Sequence, residues 1–430
     1  MSEKSVKVLS VCISDLVGGA ARAAYRIHQS QRMLGVDSRM LVKKKCSGDK
    51  DVLSLNSFLP QRKIGQSYIL IRDKVSKNVQ RHRLKRYPKR EDLAVSDLQG
   101  CSLHGALRKL DYNILHLHWI NQLFVSIDQL PTDRPIVWTL HDSWAFCGIC
   151  HCFLECTRYE TACGNCPLLH SGKENDLSHQ VWKKKREVYK HLNLHIVAPS
   201  QWLGECAKKS SLLQQFPVTV IPNCLDVDEF RPYQEEELSS RWAELRANKS
   251  NKKYILFGAF HAVKDRIKGF KYLVDALKVL ETQCDNIELI VFGANKSELG
   301  LELSIPIHYV GYVARINELV SLYNIADVMV VPSLSETFCQ TASESMACEL
   351  PVVAFRCTGI QEVVDHGVNG YLAEPWEGSD LANGIRWCLD NNQGNRLGKA
   401  GRKKVMERYT YEIVGKQYKQ LYESVLSIPS

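Results

Sequence analysis

The sequence predicts an α/β protein made of two doubly wound domains in tandem, with a cleft between them. Three observations carry that expectation. Near the start, an apolar β-rich run, a glycine turn, a helix and a second strand follow one another. The same alternation recurs along the first half, and it begins afresh after a break at Pro222-Asn-Cys-Leu-Asp226. Strands alternating with helices imply parallel sheets, because a parallel pair needs a crossover connection.

The first unit opens with Val6-Lys-Val-Leu-Ser-Val-Cys-Ile13, followed by the turn Ser14-Asp-Leu-Val-Gly-Gly19. Ala20 to Leu34 reads as a helix, with apolar Ala24, Ile27 and Leu34 set against Arg22, Arg26 and Gln29. Gly35 stops it, and Val36 to Val42 reads as the next strand. Ile114-Leu-His-Leu-His-Trp119, Ile136-Val-Trp-Thr-Leu-His141 and His195-Ile-Val-Ala-Pro199 are further short apolar runs that end in polar residues or turns. Ligands gather at the carboxyl ends of parallel strands, which puts His116, His118, His141 and Asp142 where chemistry is done.

After a polar stretch from Gln234 to Lys253, a second series starts with Tyr254-Ile-Leu-Phe-Gly258. Ile287–Gly293, Ile307–Gly311, Val328–Ser333 and Pro351–Phe355 continue it. Helical stretches such as Phe270–Leu280 and Ile316–Tyr323 separate these runs, and the residues from Arg408 on read as an amphipathic helix carrying Tyr411, Val414, Tyr418, Leu421 and Tyr422. The expected domains are therefore residues 1–225 and 226–405, with a C-terminal helix at 406–430 packing back toward the first.

The 430 residues are 45% apolar and 24% charged, which excludes a disordered chain. No run approaches the roughly 20 apolar residues that span a bilayer. The opening Met1-Ser-Glu-Lys-Ser-Val-Lys lacks the apolar core of a signal peptide. The expectation is a cytoplasmic protein, in which sixteen cysteines are reduced thiols plus a possible metal site. A net charge of +9 suits anionic partners without selecting one. Much of it sits at 60–90, where Arg62, Lys63, Arg72, Lys74, Lys77, Arg81, Arg83, Lys85, Arg86, Lys89 and Arg90 share a segment with Ile64, Tyr68, Ile69, Leu70, Ile71, Val75 and Val79. Such a basic amphipathic helix can lie on an anionic membrane surface or can simply cover a sheet edge.

Two motifs carry chemistry. Gly18-Gly19 lies between a strand and a helix, where backbone can approach a ligand and free N–H groups favour phosphate or a sugar hydroxyl. It lacks the spacing of a dinucleotide fingerprint and the Lys-Ser/Thr of a P-loop. In the second half, Pro332-Ser-Leu-Ser-Glu336-Thr-Phe-Cys-Gln-Thr-Ala-Ser-Glu344 follows a buried strand directly. On one continuous helix the two glutamates would stand about 80° apart. With Glu336 in the loop before a helix over Gln340–Cys348, both carboxylates can reach one ligand above the helix N-terminus and accept from vicinal hydroxyls.

These residues resemble the signature of the large retaining glycosyltransferase family four, of GT-B fold with two Rossmann-like domains, in its bacterial surface-polysaccharide type. Gly18-Gly19 is similar to the family's N-terminal glycine loop, Thr139-Leu-His141-Asp to its first-domain histidine, Ile221-Pro-Asn-Cys-Leu-Asp226 to its linker, and Arg266-Ile-Lys268-Gly269 to its basic phosphate-binding turn. The likeness covers essentially the whole chain. It implies a nucleotide-diphosphate sugar donor, UDP or GDP, and a hexose passed to a glycan or lipid-linked acceptor at the inner membrane surface. Glu344 would take the ribose hydroxyls. Glu336 and the backbone of Thr337 and Phe338 would hold the donor sugar, and Gly311 and Tyr312 would read the base. Arg266 and Lys268 would neutralise the diphosphate, where negative charge develops. His141 would face the sugar from the other domain. No cofactor or divalent metal is implied for catalysis, and no nucleic-acid partner is expected. Two positions depart from the pattern: Ala259 follows Gly258 where the family often has arginine, and Cys224 replaces the linker glycine. A GT-B sugar-nucleotide epimerase, or a non-enzymatic nucleic-acid-binding or redox-sensing protein, are the rival classes.

Cys147, Cys150, Cys152, Cys156, Cys163 and Cys166 fall within twenty residues. The spacing suits a structural zinc site, with an iron–sulfur cluster, disulfides or free thiols as alternatives. Sequences similar to this one point to Cys150, Cys156, Cys163 and Cys166 as the four ligands. His116 and His118 alternate along a strand and face one side, as an acceptor-pocket wall, a metal pair or core.

Overall fold

The structure is a computed structural model that describes residues 6–58, 63–91, 100, 103–258, 265–295 and 303–427, with backbone only at 63–70, 72 and 73. Two compact units emerge: Met1–Pro222 together with Val414–Ser430, and Asn223–Ile413.

The first unit contains β1 (Lys7–Ser14), α1 (Gly19–Met33), β2 (Asp37–Lys44), β3 (Val52–Ser54), α2 (Lys63–Leu84), α3 (His104–Leu107), β4 (Ile114–Leu117), β5 (Ile136–Thr139), α4 (Leu177–Tyr189), β6 (Leu194–Ala198), α5 (Gln201–Lys209) and β7 (Val218–Val220). All its strand pairs are parallel, in the order β3-β2-β1-β4-β5-β6-β7. Helices cover both faces, so β4 and β5 are buried at every residue. Gly18, at φ 91°, breaks the chain out of β1 and opens α1.

The second unit runs through α6 (Ala243–Ala247), β8 (Lys253–Gly258), α7 (Phe270–Leu280), β9 (Ile287–Phe292), β10 (Ile307–Gly311), α8 (Ile316–Ile325), β11 (Val328–Val331), α9 (Gln340–Ala347), β12 (Val352–Phe355), β13 (Gly370–Ala373), α10 (Gly378–Asn391) and α11 (Arg396–Arg408). Its parallel sheet has the order β10-β9-β8-β11-β12-β13. Leu273, Leu277 and Leu280 on α7 and Leu381 and Ile385 on α10 are fully buried against one face of this sheet.

The boundaries expected at 225/226 and 405/406 fall instead at 222/223 and 413/414. Backbone pairing is the reason. Leu225 N–H donates to the Tyr409 carbonyl at 3.0 Å and Leu225 bridges Thr410, which ties the linker to the second unit. Residues 406–408 complete α11, and α12 (Tyr411–Ser427) is a separate helix. From Val414 on, α12 belongs to the first unit: Gln31 Nε2 donates to Tyr422 OH at 2.6 Å, and Tyr418 OH lies 2.9 Å from Thr139 Oγ1.

Candidate functional site

In the second unit the chain leaves β8 toward one end of the sheet and returns at β11 to build the other, so β8 and β11 flank the point where strand order reverses. Ligands of doubly wound sheets bind outside the carboxyl ends of strands at such a point. The loop after β8 carries Lys268, and the loop after β11 carries Glu336. Lys268 Nζ and Glu336 Oε1 are 2.7 Å apart, and both side chains are mostly buried.

Local backbone locks this pair. Asp265 accepts from Ile267 N–H at 2.9 Å and starts a single 3-10 turn over Arg266–Lys268. Gly269 then takes φ 66°, and a Cβ there would stand 1.7 Å from the Pro332 carbonyl oxygen, so only glycine lets the two loops touch. Leu334 N–H donates to the Ile267 carbonyl at 2.7 Å across that contact. Behind Glu336, its N–H donates to Thr358 Oγ1 at 3.0 Å and its carbonyl accepts from Gly359 at 2.9 Å. Burial works against the Lys268 charge, but Glu336 beside it holds the ammonium pKa above the ordinary lysine value.

Glu336 precedes α9, whereas Glu344 lies within that helix and is 4% exposed. Tyr323 OH on α8 donates to Glu344 Oε2 at 3.0 Å. Arg266 is exposed at the start of its turn, and Thr337 is half-buried. Phe338, expected at the donor, is 2% exposed and packs edge-on against Tyr409, so its ring is core and only its backbone remains a candidate. Gly311 ends β10 at φ 68°, its carbonyl accepts from Gly293 N–H at 2.7 Å, and Tyr312 follows it 60% exposed. Ala259 lies outside the described residues.

The first unit reverses strand order between β1 and β4. Gly18-Gly19 follows β1, and a Cβ at Gly18 would meet nothing within 4 Å. Asp15 accepts from Cys46 N–H at 2.8 Å and Ser47 N–H at 2.8 Å, pinning the turn to the end of β2. His118 follows β4, and its Nδ1 is 3.1 Å from His141 Nε2 beyond β5. Burial pushes the His141 pKa down to about 4, so the ring is neutral at pH 7. Next to it, Asp142 meets His151 Nδ1 and Trp119 Nε1, each at 2.5 Å. Burial opposes the Asp142 charge, yet the nearby His151 holds its pKa below the usual carboxylate value.

His116 is a core residue. It is wholly buried, with Nε2 2.8 Å from Thr139 Oγ1 and Nδ1 2.7 Å from Tyr422 OH, so both ring nitrogens are spent on the packing of α12. Strand alternation placed it on the right face, but a helix 306 residues away covers that face. Cys147, Cys150, Cys156, Cys163 and Cys166 line one small cavity, though among the described residues no three ligands stand in coordinating geometry. Arg62 lies outside the described residues. Elsewhere on α2, Ile71, Val75 and Val79 are exposed at four-residue spacing, as are Lys74, Lys77, Arg81, Lys85 and Arg86 at or beyond the helix. Among the described residues no helix is long and apolar enough to cross a membrane.

Tyr323, Thr358 and Asp15 are site residues that sequence reasoning missed. A lone hydroxyl or carboxylate carries no motif, and each acts on a residue 21 to 32 positions away.

Residues 17–229 match the family model described as Glycosyltransferase Family 4, and residues 240–404 the one described as Glycosyl transferases group 1. The chain is 27% identical over 240 residues to the lipopolysaccharide 1,2-N-acetylglucosaminetransferase of Salmonella typhimurium, covering 52% of this chain and 61% of that one. It is 24% identical over 241 residues to the capsular polysaccharide biosynthesis glycosyltransferase CapM of Staphylococcus aureus, covering 54% and 62%. The match therefore spans about three fifths of these curated relatives. Among solved structures, Anabaena Alr3699/HepE in complex with UDP and glucose superposes with a TM-score of 0.61 at 17% identity, over 97% of this chain and all of that one. Two parallel-sheet, Rossmann-like units with this likeness make the fold GT-B.

Proposed function

We propose that this chain, which belongs to the family 4 glycosyltransferases with a group 1 C-terminal unit, transfers a hexose from a nucleotide-diphosphate sugar to a glycan or lipid-linked acceptor in surface polysaccharide synthesis. The observation that carries this is the Lys268–Glu336 pair beside α9 at the strand-order switch of the second unit. As the glycosidic bond to the diphosphate breaks, negative charge grows on the leaving phosphate. Lys268 and Arg266 supply cations there and the N-terminus of α9 supplies N–H groups. Glu336 accepts from sugar hydroxyls, and Glu344, steadied by Tyr323, accepts from ribose. Tyr312 gives the base an exposed aromatic face. His141, neutral at pH 7, acts on the sugar as a hydrogen-bonding group and not as a cation. The leaving phosphate takes the acceptor proton on the same face, which retains the anomeric configuration.

UDP is the first donor nucleotide to test, since the Anabaena neighbour is described in complex with it. The exposed apolar stripe on α2 and its basic flank fit an anionic lipid surface, where lipid-linked acceptors reside. The test is a thermal-shift screen with UDP, GDP, ADP and their sugars. A ligand at 100 times its dissociation constant stabilises by about 2.7 kcal/mol. No shift with any of them overturns the assignment.

A further inference from the structure

The segment between β5 and α4 contains only two single 3-10 turns, at Arg158–Glu160 and Pro167–Leu169. Leu154, Cys163 and Asn165 hold positive φ without being glycine, a conformation that needs something to hold it. Five thiols turn toward one cavity of about 20 Å³, room for a single water-sized particle. One backbone amide points into this cluster: Gly148 N–H donates to Cys163 Sγ at 3.2 Å. Of the five cysteines, Cys147 is the most deeply buried, at 1% exposure.

A buried lysine braces the same segment. Lys185 on α4 is fully buried, and its Nζ bonds the carbonyls of Trp144, Cys147 and Gly148, the latter two at 2.9 Å. All three partners are neutral. The acidic groups facing it are the thiols of Cys147, Cys150 and Cys163 and the Asp142 carboxylate, which is already bound to His151 and Trp119. The three carbonyl bonds hold the turn that carries Cys147 and Cys150 against α4.

We propose that Cys150, Cys156, Cys163 and Cys166 bind one zinc ion tetrahedrally, as the structural clamp of this segment. Because no three ligands stand in coordinating geometry, binding draws the sulfurs inward as four S–H protons leave. The inference does not depend on the transferase reading.

The test uses the full chain, expressed in zinc-replete medium and purified without a metal-affinity tag. Elemental analysis is expected to give about one zinc per chain, released when an organomercurial titrates the thiols. Exchange with cobalt is expected to give the visible absorption of a tetrahedral thiolate complex. Cys163→Ser and Cys166→Ser lose the metal, whereas Cys147→Ser retains it. Wild-type protein with less than about a tenth of an ion per chain overturns the proposal, whatever the variants do. So do iron in place of zinc, disulfides among these cysteines, or full zinc occupancy in Cys163→Ser. The wild-type measurement keeps the test decisive if a serine variant does not fold.

Discussion

Replacing Lys268 by methionine keeps the aliphatic stem and removes the charge. Two effects of different size follow. In the free protein, Glu336 loses its 2.7 Å partner; a hydrogen bond to a charged group is worth about 1.5–3 kcal/mol, and partial exposure of both side chains brings the loss to about 1–2 kcal/mol. In the bound state, the diphosphate loses its cation in a partly dry site, for about 1.5–3 kcal/mol, or roughly a 10- to 150-fold rise in the dissociation constant for UDP. Calorimetric titration with UDP reads the second effect directly. Glu336→Gln separates the roles: it frees Lys268 from its ion pair, so UDP affinity holds or tightens while sugar transfer falls. If K268M binds UDP within about twofold of the parent, the pair is a structural strut and the diphosphate lies elsewhere.

Glu344→Ala leaves Tyr323 OH buried without its acceptor, so thermal unfolding shifts down by about 1–3 kcal/mol and UDP-induced stabilisation shrinks; loss of stability with unchanged UDP binding refutes the ribose role. Gly269→Ala cannot be accommodated without separating the two site loops, and a loss above about 2 kcal/mol in urea unfolding is expected, against a refuting value under about 0.5. The buried histidines make stability fall in acid. Burial holds His141 down to about 4 and His116 to about 3, so the unfolded chain takes up protons below the ordinary value of 6.5 while the native one does not. Each contributes stability that is present above pH 6.5 and lost as pH falls, about 2 kcal/mol apiece by pH 5; a flat urea midpoint between pH 7.5 and 5 contradicts this. Val75→Glu with Val79→Glu, both exposed, should leave unfolding unchanged and abolish sedimentation with phosphatidylglycerol vesicles, and undiminished binding removes α2 as the lipid contact.

Local chemistry made much of this protein legible. Apolar runs punctuated by glycine located β1, β4, β5 and β8 to β12, because parallel strands buried on both faces must be apolar at nearly every position. Glu336 and Glu344 stood out because one precedes a helix and the other lies within it, and that depends on sequence spacing alone. Tertiary packing decided what each polar group is free to do. His116 and His118 carry the same local signal, yet α12 lays Tyr422 over one and leaves the other beside His141. Lys268 was legible as part of a basic turn, but its partner was not: Gly269 brings that turn against Pro332 and places the lysine on Glu336. Lys185 shows no motif at all, and only the fold of the cysteine segment around it buries its amine against the Cys147 and Gly148 carbonyls. Hydrophobic periodicity is a property of neighbours along the chain, so sequence alone determines the elements and their order. Hydrogen-bond partners and desolvation come from residues tens to hundreds of positions away, and those only the folded chain can supply.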